Sequence, residues 1–279
     1  MTGTRLSLPD VTLLAVDTRT PTLALAAMQA CQAQVQFGDA VLFTDPKQLA
    51  QAPASVRIEP AHIDSVPAYS RFMLQGLLPH VHTSHLLVVQ WDGYLLDAAA
   101  WDPAFLDWDY IGAPWHDRPA ARAVGNGGFS LRSRRLLQAL LDPALVPGHP
   151  EDVCICEQHR TALERTHGIR IAPLDVARRF AFERTSPDGP TLGFHGLFNF
   201  DRVMPDAELQ AFVDALPPGM LRGLDGHDLC TRLIDAGRLD SASRVLHKRL
   251  ALGMHDRRTW RLRARLWWAR RRHRQGATA

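Results

Sequence analysis

The sequence predicts an α/β fold with a mostly parallel central sheet, flanking helices and a helical C-terminal appendage. Three apolar runs, at residues 11–16, 40–45 and 85–90, have the composition of buried strands. The stretches 21–33 and 69–78, which lie between these runs, favour helices. Further along the chain, we expect a helix at 151–167 and a strand at 169–173. Strands and helices that alternate in this way are typical of a parallel sheet with helices on its faces.

Each predicted strand ends at an acidic residue: Asp17, Asp45 and Asp92. In parallel α/β sheets, ligands bind beyond the carboxyl ends of the strands. Three acids at such ends predict a single polar crevice along this edge of the sheet.

A chain of 279 residues, 46% hydrophobic and 22% charged, has the composition of an ordinary folded protein. We predict one α/β domain over residues 1–204 and a helical region over residues 205–279. The spacing around residues 229–250 indicates a helix-turn-helix hairpin of the tetratricopeptide kind, and a single such unit does not predict a solenoid.

The N-terminus lacks the layout of a signal peptide, and no apolar run reaches the roughly 20 residues that span a bilayer. We therefore expect a cytoplasmic protein. Cys154 and Cys156, separated by one residue, are too close for the usual zinc spacing, and Cys31 and Cys230 are isolated. We interpret the four cysteines as small buried residues of a protein in a reducing compartment.

The segment 124–133 (VGNGGFSLRS) and the acids Glu151 and Asp152 that follow it carry the strongest functional signal. Glycine has no Cβ, so a glycine-dense turn can approach a ligand closely. Acids in the first turn of a helix commonly satisfy its free N–H groups and dipole. Alternatively, one of the two caps the helix while the other faces the cleft as a general base.

Three further residues allow a functional and a structural interpretation. Asp92, just past a buried strand, is placed to coordinate a divalent cation on a diphosphate or to cap a turn. His195, next to Gly196, is a candidate ligand for a Mn²⁺-like metal or a structural histidine. Arg71 is either a forked hydrogen-bond donor to phosphate or an acid, or an exposed surface residue.

Residues 257–274 contain nine arginines and no acid, and without these arginines the formal net charge of +3 becomes −6. Trp260, Ala264, Trp267 and Trp268 share one face of the predicted helix. This pattern favours binding to an anionic membrane surface, which would place the protein at the inner face of the cell membrane. Packing against the helical hairpin is the structural alternative, and nucleic-acid binding is the least favoured.

Six segments together resemble the bacterial and fungal family DUF5672, whose members are expected to be glycosyltransferases. The resemblance spans residues 11–199, about two-thirds of the chain. The segments that carry it are 90–93 (QWDG), 101–103 (WDP), 109–115 (DYIGAPW), 125–133 (GNGGFSLRS), 151–153 (EDV) and 194–196 (FHG).

The order of these parts is also similar to the inverting glycosyltransferases of the GT-A fold, a Rossmann-like fold, which implies a role for each part. Asp152 would be the general base, supported by Glu151, and Asp92 and His195 would hold Mn²⁺ or Mg²⁺ on the donor diphosphate. Asn126, Gly127 and Gly128 would face the donor sugar. The remaining donor-binding residues would be Asp17, Arg19, Asp45 and Arg71, facing the nucleotide, with Gln90 and Trp91.

Gln90 stands where the Asp-x-Asp motif of those enzymes has its first acid, and an amide is a weaker metal ligand than a carboxylate. Two ways to neutralise the leaving diphosphate therefore stay open: a metal ion or basic side chains. The resemblance implies transfer of a sugar from a nucleotide-sugar donor to a hydroxyl of a glycan or lipid-linked glycan.

Two other functions remain open at this point. One is a non-catalytic module that binds nucleotide-sugar or glycan and recruits a partner through its helical C-terminus. The other is a different phosphate-handling enzyme, such as a nucleotidyltransferase. The sequence lacks the Gly-x₄-Gly-Lys-Ser/Thr loop, which argues against a P-loop enzyme.

Overall fold

The computed structural model describes residues 5–51 and 53–276. The chain divides into two compact units, Met1–His195 and Gly196–Ala279. The predicted boundary after residue 204, between the α/β domain and the helical region, concerns function and stays a prediction.

A six-stranded sheet in the order β3-β2-β1-β4-β6-β5 forms the centre of the first unit. Strands β1 to β4 are parallel where they pair, and β6 is antiparallel to both of its neighbours. The expected fold class, a mostly parallel sheet with flanking helices, is confirmed. The strands are β1 (Leu6–Val16), β2 (Val35–Thr44), β3 (Arg57–Pro60), β4 (His85–Val88), β5 (Tyr110–Gly112) and β6 (Ser130–Ser133).

Both faces of this sheet are buried, which explains why its strands appear as continuous apolar runs instead of alternating patterns. In β1, Leu13 and Ala15 belong to one hydrophobic cluster, whereas Leu14 and Val16 belong to another. Because successive side chains of a strand point to opposite faces, one run supplies both layers of the core.

The helices of the first unit cover these faces, and two expected elements differ from the sequence prediction. The expected helix at 151–167 is interrupted by a π-helical turn at Cys154–Gln158, and the expected strand at 169–173 is reduced to one bridge between Tyr110 and Ile171. The helices are α1 (Pro21–Gln34), α2 (Val66–Gln75), α3 (Arg134–Ala139), α4 (Glu151–Val153), α5 (Arg160–Thr166) and α6 (Leu174–Phe180).

The antiparallel strand β6 determines where the functional segments meet. Its first residue, Ser130, pairs with Val88, the last residue of β4. The chain that leaves β4 towards Asp92 and the glycine-rich turn that enters β6 therefore lie at the same edge of the sheet. Two short parallel strands, β7 (Ala181–Phe182) and β8 (Gly193–Phe194), complete this unit.

The second unit is helical. Helices α9 and α10 pack as a hairpin, and Gly237 adopts a left-handed φ of 72° at its turn. Among the described residues, no helix combines the length and apolar character required to cross a membrane. The helices are α7 (Phe200–Val203), α8 (Asp206–Ala215), α9 (Leu224–Asp235), α10 (Leu239–Ala251) and α11 (Arg257–Gly276).

Candidate active site

The turn formed by Asn126, Gly127 and Gly128, which we call the glycine turn, lies at the centre of the candidate site. Asn126 adopts a left-handed φ of 57°, a conformation that asparagine tolerates better than most residues. Its Oδ1 accepts a hydrogen bond from the Gly128 N–H at 3.2 Å, which holds the turn in shape. All three residues are buried, so the turn is part of the core as well as of the site.

The acids Glu151 and Asp152 contact one side of the glycine turn, which we call the carboxylate side. The Gly127 N–H donates to Asp152 Oδ2 at 3.2 Å. Glu151 Oε1 accepts from Arg132 Nη2 at 3.3 Å, and the Arg132 side chain is fully buried. Arg132 also donates to Ser130 Oγ and to the Gly127 carbonyl. The buried ion pair between Arg132 and Glu151 therefore connects Glu151 to the glycine turn.

The two acids have different electrostatic environments. Burial raises the pKa of Asp152, and the negative charge of Glu151 raises it further. Glu151 has a guanidinium partner, whereas Asp152, among the described residues, accepts hydrogen bonds from the backbone N–H groups of Gly127 and Val153 and from no side chain. A carboxylate with a raised pKa is a better proton acceptor, so this arrangement suits Asp152 to general-base chemistry.

Tyr69 on α2 contacts Gln90 and is influenced electrostatically by Glu151. Its hydroxyl accepts a hydrogen bond from Gln90 Nε2 at 3.0 Å. Burial, followed by the charge of Glu151, raises its pKa well above the usual range, so the phenol stays neutral. Asp17 and Arg132 also act electrostatically on this hydroxyl. The sequence did not single out Tyr69 as a site residue, and no motif marks it.

The other side of the glycine turn, which we call the imidazole side, contains His195. Its Nε2 lies 3.2 Å from Gln90 Oε1 and 3.7 Å from Asp92 Oδ1. Its Nδ1 lies 3.0 Å from Asn126 Nδ2 and 3.6 Å from Glu183 Oε1. The imidazole therefore has one carboxylate near each ring nitrogen.

Glu183 is the second residue that the sequence interpretation missed. It follows β7 directly, and the pairing of β7 with β8 places it beside His195, whose N–H donates to the Phe182 carbonyl at 3.0 Å. Burial is the largest influence on Glu183 and favours a higher pKa, but the hydrogen bond and charge of His195, the charge of Arg184 and a hydrogen bond with Asn126 together lower the pKa. A charged carboxylate behind an imidazole fixes the orientation of the ring, as it does for many metal-ligating histidines.

The imidazole side contains residue types that could serve as ligands of a divalent cation only if a substrate supplies further ligands. Asp92 and His195 offer a carboxylate and an imidazole within 3.7 Å, and Gln90 adds an amide oxygen. In the described part of the chain, no group of three or more His, Cys, Asp or Glu side chains is placed to hold a metal ion. A cation held by Asp92 and His195 alone would take its remaining ligands from a substrate diphosphate and water, as is common for Mg²⁺-like ions.

The glycines of the site make room for these side chains. A Cβ at Gly128 would overlap His195 Nε2, and a Cβ at Gly127 would overlap Glu151 Oε1. A Cβ at Gly93 would lie 2.7 Å from His195 Cδ2. The close approach that the sequence assigned to a ligand is thus made first by the functional side chains of the protein itself.

The remaining donor-binding candidates differ in their contacts. Asp17 accepts from the Arg19 and Thr20 N–H groups and from the Thr20 hydroxyl, and Asp45 accepts from the Lys47 N–H. Both acids therefore cap local backbone at strand ends.

The other three candidates, Arg19, Arg71 and Trp91, are more exposed than the glycine turn. Arg19 and Arg71 are exposed, and Trp91 is half-buried. Among the described residues, no hydrogen bond or ion pair joins the guanidinium of Arg19 or Arg71 to the glycine turn. Their roles towards the nucleotide stay predictions.

Comparisons with known proteins identify a family and a set of distant folds. The family model DUF5672, described as a protein of unknown function, matches residues 54–195. No curated protein matches the sequence at a significant level.

Two solved structures of glycosyltransferases overlap with the chain. A glycosyltransferase involved in the glycosylation of the major capsid of PBCV-1 is 11% identical, with 66% of this chain and 91% of that chain covered and a TM-score of 0.41. The mannosyltransferase PcManGT from Pyrobaculum calidifontis, solved with GDP-Man and Mn²⁺, is 13% identical, with 95% and 88% covered and a TM-score of 0.39. At these scores, neither similarity determines the function of this chain.

Proposed function

This chain belongs to the family DUF5672, and we propose that it is a glycosyltransferase. It would move a sugar from a nucleotide-sugar donor to a hydroxyl of a glycan or lipid-linked glycan, with inversion at the anomeric carbon. The observation that carries the proposal is the glycine turn, which contacts Asp152 through the Gly127 N–H and His195 through Asn126. The proposed base and the proposed diphosphate-binding group thus both contact the glycine turn.

In the proposed reaction, Asp152 accepts the proton of the acceptor hydroxyl. The acceptor oxygen forms a bond to the anomeric carbon while the bond from that carbon to the diphosphate breaks on the opposite face. The bonding electron pair leaves with the nucleoside diphosphate, and the proton stays on Asp152. Glu151, held by Arg132, supports the base by raising its pKa.

Asp92 and His195 are the proposed ligands of a divalent cation, and Glu183 orients the imidazole. Such a cation, when bound, would offset the negative charge that develops on the leaving diphosphate. We assign the donor sugar to Asn126, Gly127 and Gly128. The nucleotide is assigned to Asp17, Arg19, Asp45 and Arg71, with Gln90 and Trp91 beside the diphosphate.

A ligand panel tests this proposal. Thermal-shift measurements with nucleoside diphosphates and nucleotide-sugars, with and without Mn²⁺, should show stabilisation that increases with the metal. Incubation with the donor that binds best should then release nucleoside diphosphate. Release of pyrophosphate would instead indicate a nucleotidyltransferase, and binding without turnover across donors and acceptors would indicate a non-catalytic module.

We further propose that α11 binds an anionic membrane surface. Thr259, Leu262 and Leu266 are its buried residues, whereas Trp260, Trp267 and Trp268 are 49%, 49% and 58% exposed. The tryptophans therefore do not form the face that packs in the helical unit. A basic helix with exposed indoles has the composition of an interfacial helix.

Co-sedimentation with vesicles tests this assignment. Binding should be clear with vesicles that contain phosphatidylglycerol, absent with pure phosphatidylcholine, and reduced by salt. The pair of substitutions Trp267→Ala and Trp268→Ala should weaken it, while Trp101→Ala in the first unit should not. Equal binding to neutral vesicles, or preference for duplex DNA over lipid, would contradict the proposal.

A further inference from the structure

A polar cavity of about 320 Å³ lies in the first unit, beside the site described above. Its lining includes Trp115, Arg118, Arg178, Phe182 and Asp188. None of these residues has a role in the reaction proposed so far. The volume is at the lower end of the roughly 300–1,000 Å³ that small-molecule sites occupy, which suits one or two sugar rings.

Two walls of the cavity belong to chain segments that form the active site. The indole of Trp115 occupies the space that a Cβ at Gly125 would need, and Gly125 precedes the glycine turn. On the other wall, Phe182 is followed by Glu183, and its carbonyl accepts from the His195 N–H. The cavity therefore adjoins two chain segments that also form the active site.

The side chains of the cavity match the chemistry of a saccharide. Trp115 is half-buried and lines the cavity, so the part of its indole that Gly125 and Arg118 leave uncovered is available to the apolar face of a sugar ring. Arg178 and Asp188 are exposed, and neither forms an ion pair or side-chain hydrogen bond with another described residue. A free guanidinium and a free carboxylate supply donors and acceptors for hydroxyl groups.

Arg118 has a different position in the cavity. Its guanidinium lies 5.7 Å from the centre of the Trp115 ring and is paired with Asp117 and Glu157. These contacts hold the indole in place and neutralise the cation. The cavity therefore offers a ligand one fixed aromatic ring, that of Trp115, and one charge of each sign, on Arg178 and Asp188. Because these two charges balance, the cavity favours a neutral polyhydroxylated molecule over an anion.

We propose that this cavity is the acceptor subsite of the enzyme and binds a saccharide of one or two rings, an inference that rests on the proposed glycosyltransferase function. Trp115 stacks on the sugar ring, and Arg178 and Asp188 bind its hydroxyl groups. The subsite delivers one acceptor hydroxyl towards the glycine turn and Asp152.

Binding of the full-length protein to an array of immobilised mono- and disaccharides tests the subsite without requiring turnover. The wild-type protein should bind a subset of the array. Trp115→Ala and Arg178→Ala should each weaken this binding about tenfold or more, whereas Trp115→Phe, which keeps an aromatic face, should lose less. The thermal shift with UDP and GDP should not change in these variants.

Matched variants separate the subsite from general effects. Trp108 is also half-buried with an arginine, Arg170, 4.8 Å from its ring, but it does not line the cavity. Trp108→Ala and the exposed-arginine control Arg165→Ala should retain array binding. The inference would be overturned if these controls lost as much binding as Trp115→Ala and Arg178→Ala. It would also be overturned if Trp115→Ala and Arg178→Ala bound saccharides as well as the wild-type protein does, or if the wild-type protein bound no saccharide.

The same experiment separates this inference from the proposed function. If UDP and GDP stabilise the protein but no saccharide depends on Trp115 and Arg178, the acceptor subsite is wrong while the transferase proposal stands. If saccharides bind through these residues but no nucleotide or nucleotide-sugar binds, the transferase proposal fails, and the cavity remains a saccharide site of a non-catalytic protein.

Discussion

The carboxylate side and the imidazole side of the glycine turn use the same residue types in different ways. On the carboxylate side, two acids are adjacent, and one of them is paired with the buried Arg132. On the imidazole side, two acids lie near opposite nitrogens of His195. The first arrangement raises the pKa of an acid, and the second holds an imidazole between charges.

This difference is the basis for proposing that proton transfer and diphosphate binding belong to separate halves of the site. A raised carboxylate pKa suits a base, whereas a positioned imidazole and carboxylate suit a cation on a diphosphate. The comparison therefore predicts that substitutions on the two sides affect different measurements. We expect turnover to depend on the carboxylate side, and nucleotide affinity in the presence of metal to depend on the imidazole side.

The largest expected effect comes from Asp152→Asn. Removing a general base should lower kcat by about 10²–10⁴-fold. The nucleotide affinity should stay within about twofold, because Asp152 lies on the other side of the turn. Single-turnover kinetics and calorimetric titration measure the two quantities. The matched control is Asp64→Asn, because Asp64 is exposed. Retained turnover in Asp152→Asn would show that Asp152 is not the general base.

Gly128→Ala should disturb the imidazole side. Its added methyl group would overlap His195 Nε2, so the ring has to move. We expect a loss of about 1–3 kcal/mol in the free energy of unfolding, as for other overpacked positions. Urea denaturation measures it. A Cβ at Gly189 meets nothing within 4 Å, so Gly189→Ala is the control and should stay within about 0.5 kcal/mol.

Glu183→Gln should weaken the support of His195 without removing a proposed ligand. We expect Mn²⁺-dependent nucleotide affinity to fall about tenfold, the lower end of the effect of residues that orient metal ligands. Titration calorimetry with and without Mn²⁺ measures this fall. Affinity in the presence of EDTA should change little. A loss of equal size in EDTA would show that Glu183 acts on the nucleotide independently of a metal.

The smallest expected effect is a shift in the pH profile. Because the base must be deprotonated, kcat/KM should fall as the pH drops through the raised pKa of Asp152. Glu151→Gln removes the negative charge that raises this pKa, so the acid limb should move to lower pH. If the acid limb of the kcat/KM profile stays at the same pH or moves to higher pH, Glu151 does not act through the pKa of Asp152.

Local patterns were sufficient to predict much of the fold. Apolar runs such as that of β1 are buried on both faces, and such runs favour parallel strands covered by helices. The expected helix at 151–167 differs because the π-helical turn at Cys154–Gln158 interrupts it. Sequence periodicity does not register one extra residue in a helical turn.

Residue types and their spacing along the chain were enough to predict the alternation of strands and helices, the candidate residues Asp92, Glu151, Asp152 and His195, and the basic character of α11. These properties depend on residue type and local spacing. Only the tertiary structure decided which atoms meet: the antiparallel pairing of β6 with β4 brings the glycine turn beside Asp92, and the pairing of β7 with β8 places Glu183 behind His195. Tyr69 and Arg132 entered the site for the same reason, because contacts between distant segments depend on strand order and packing, which no short motif encodes.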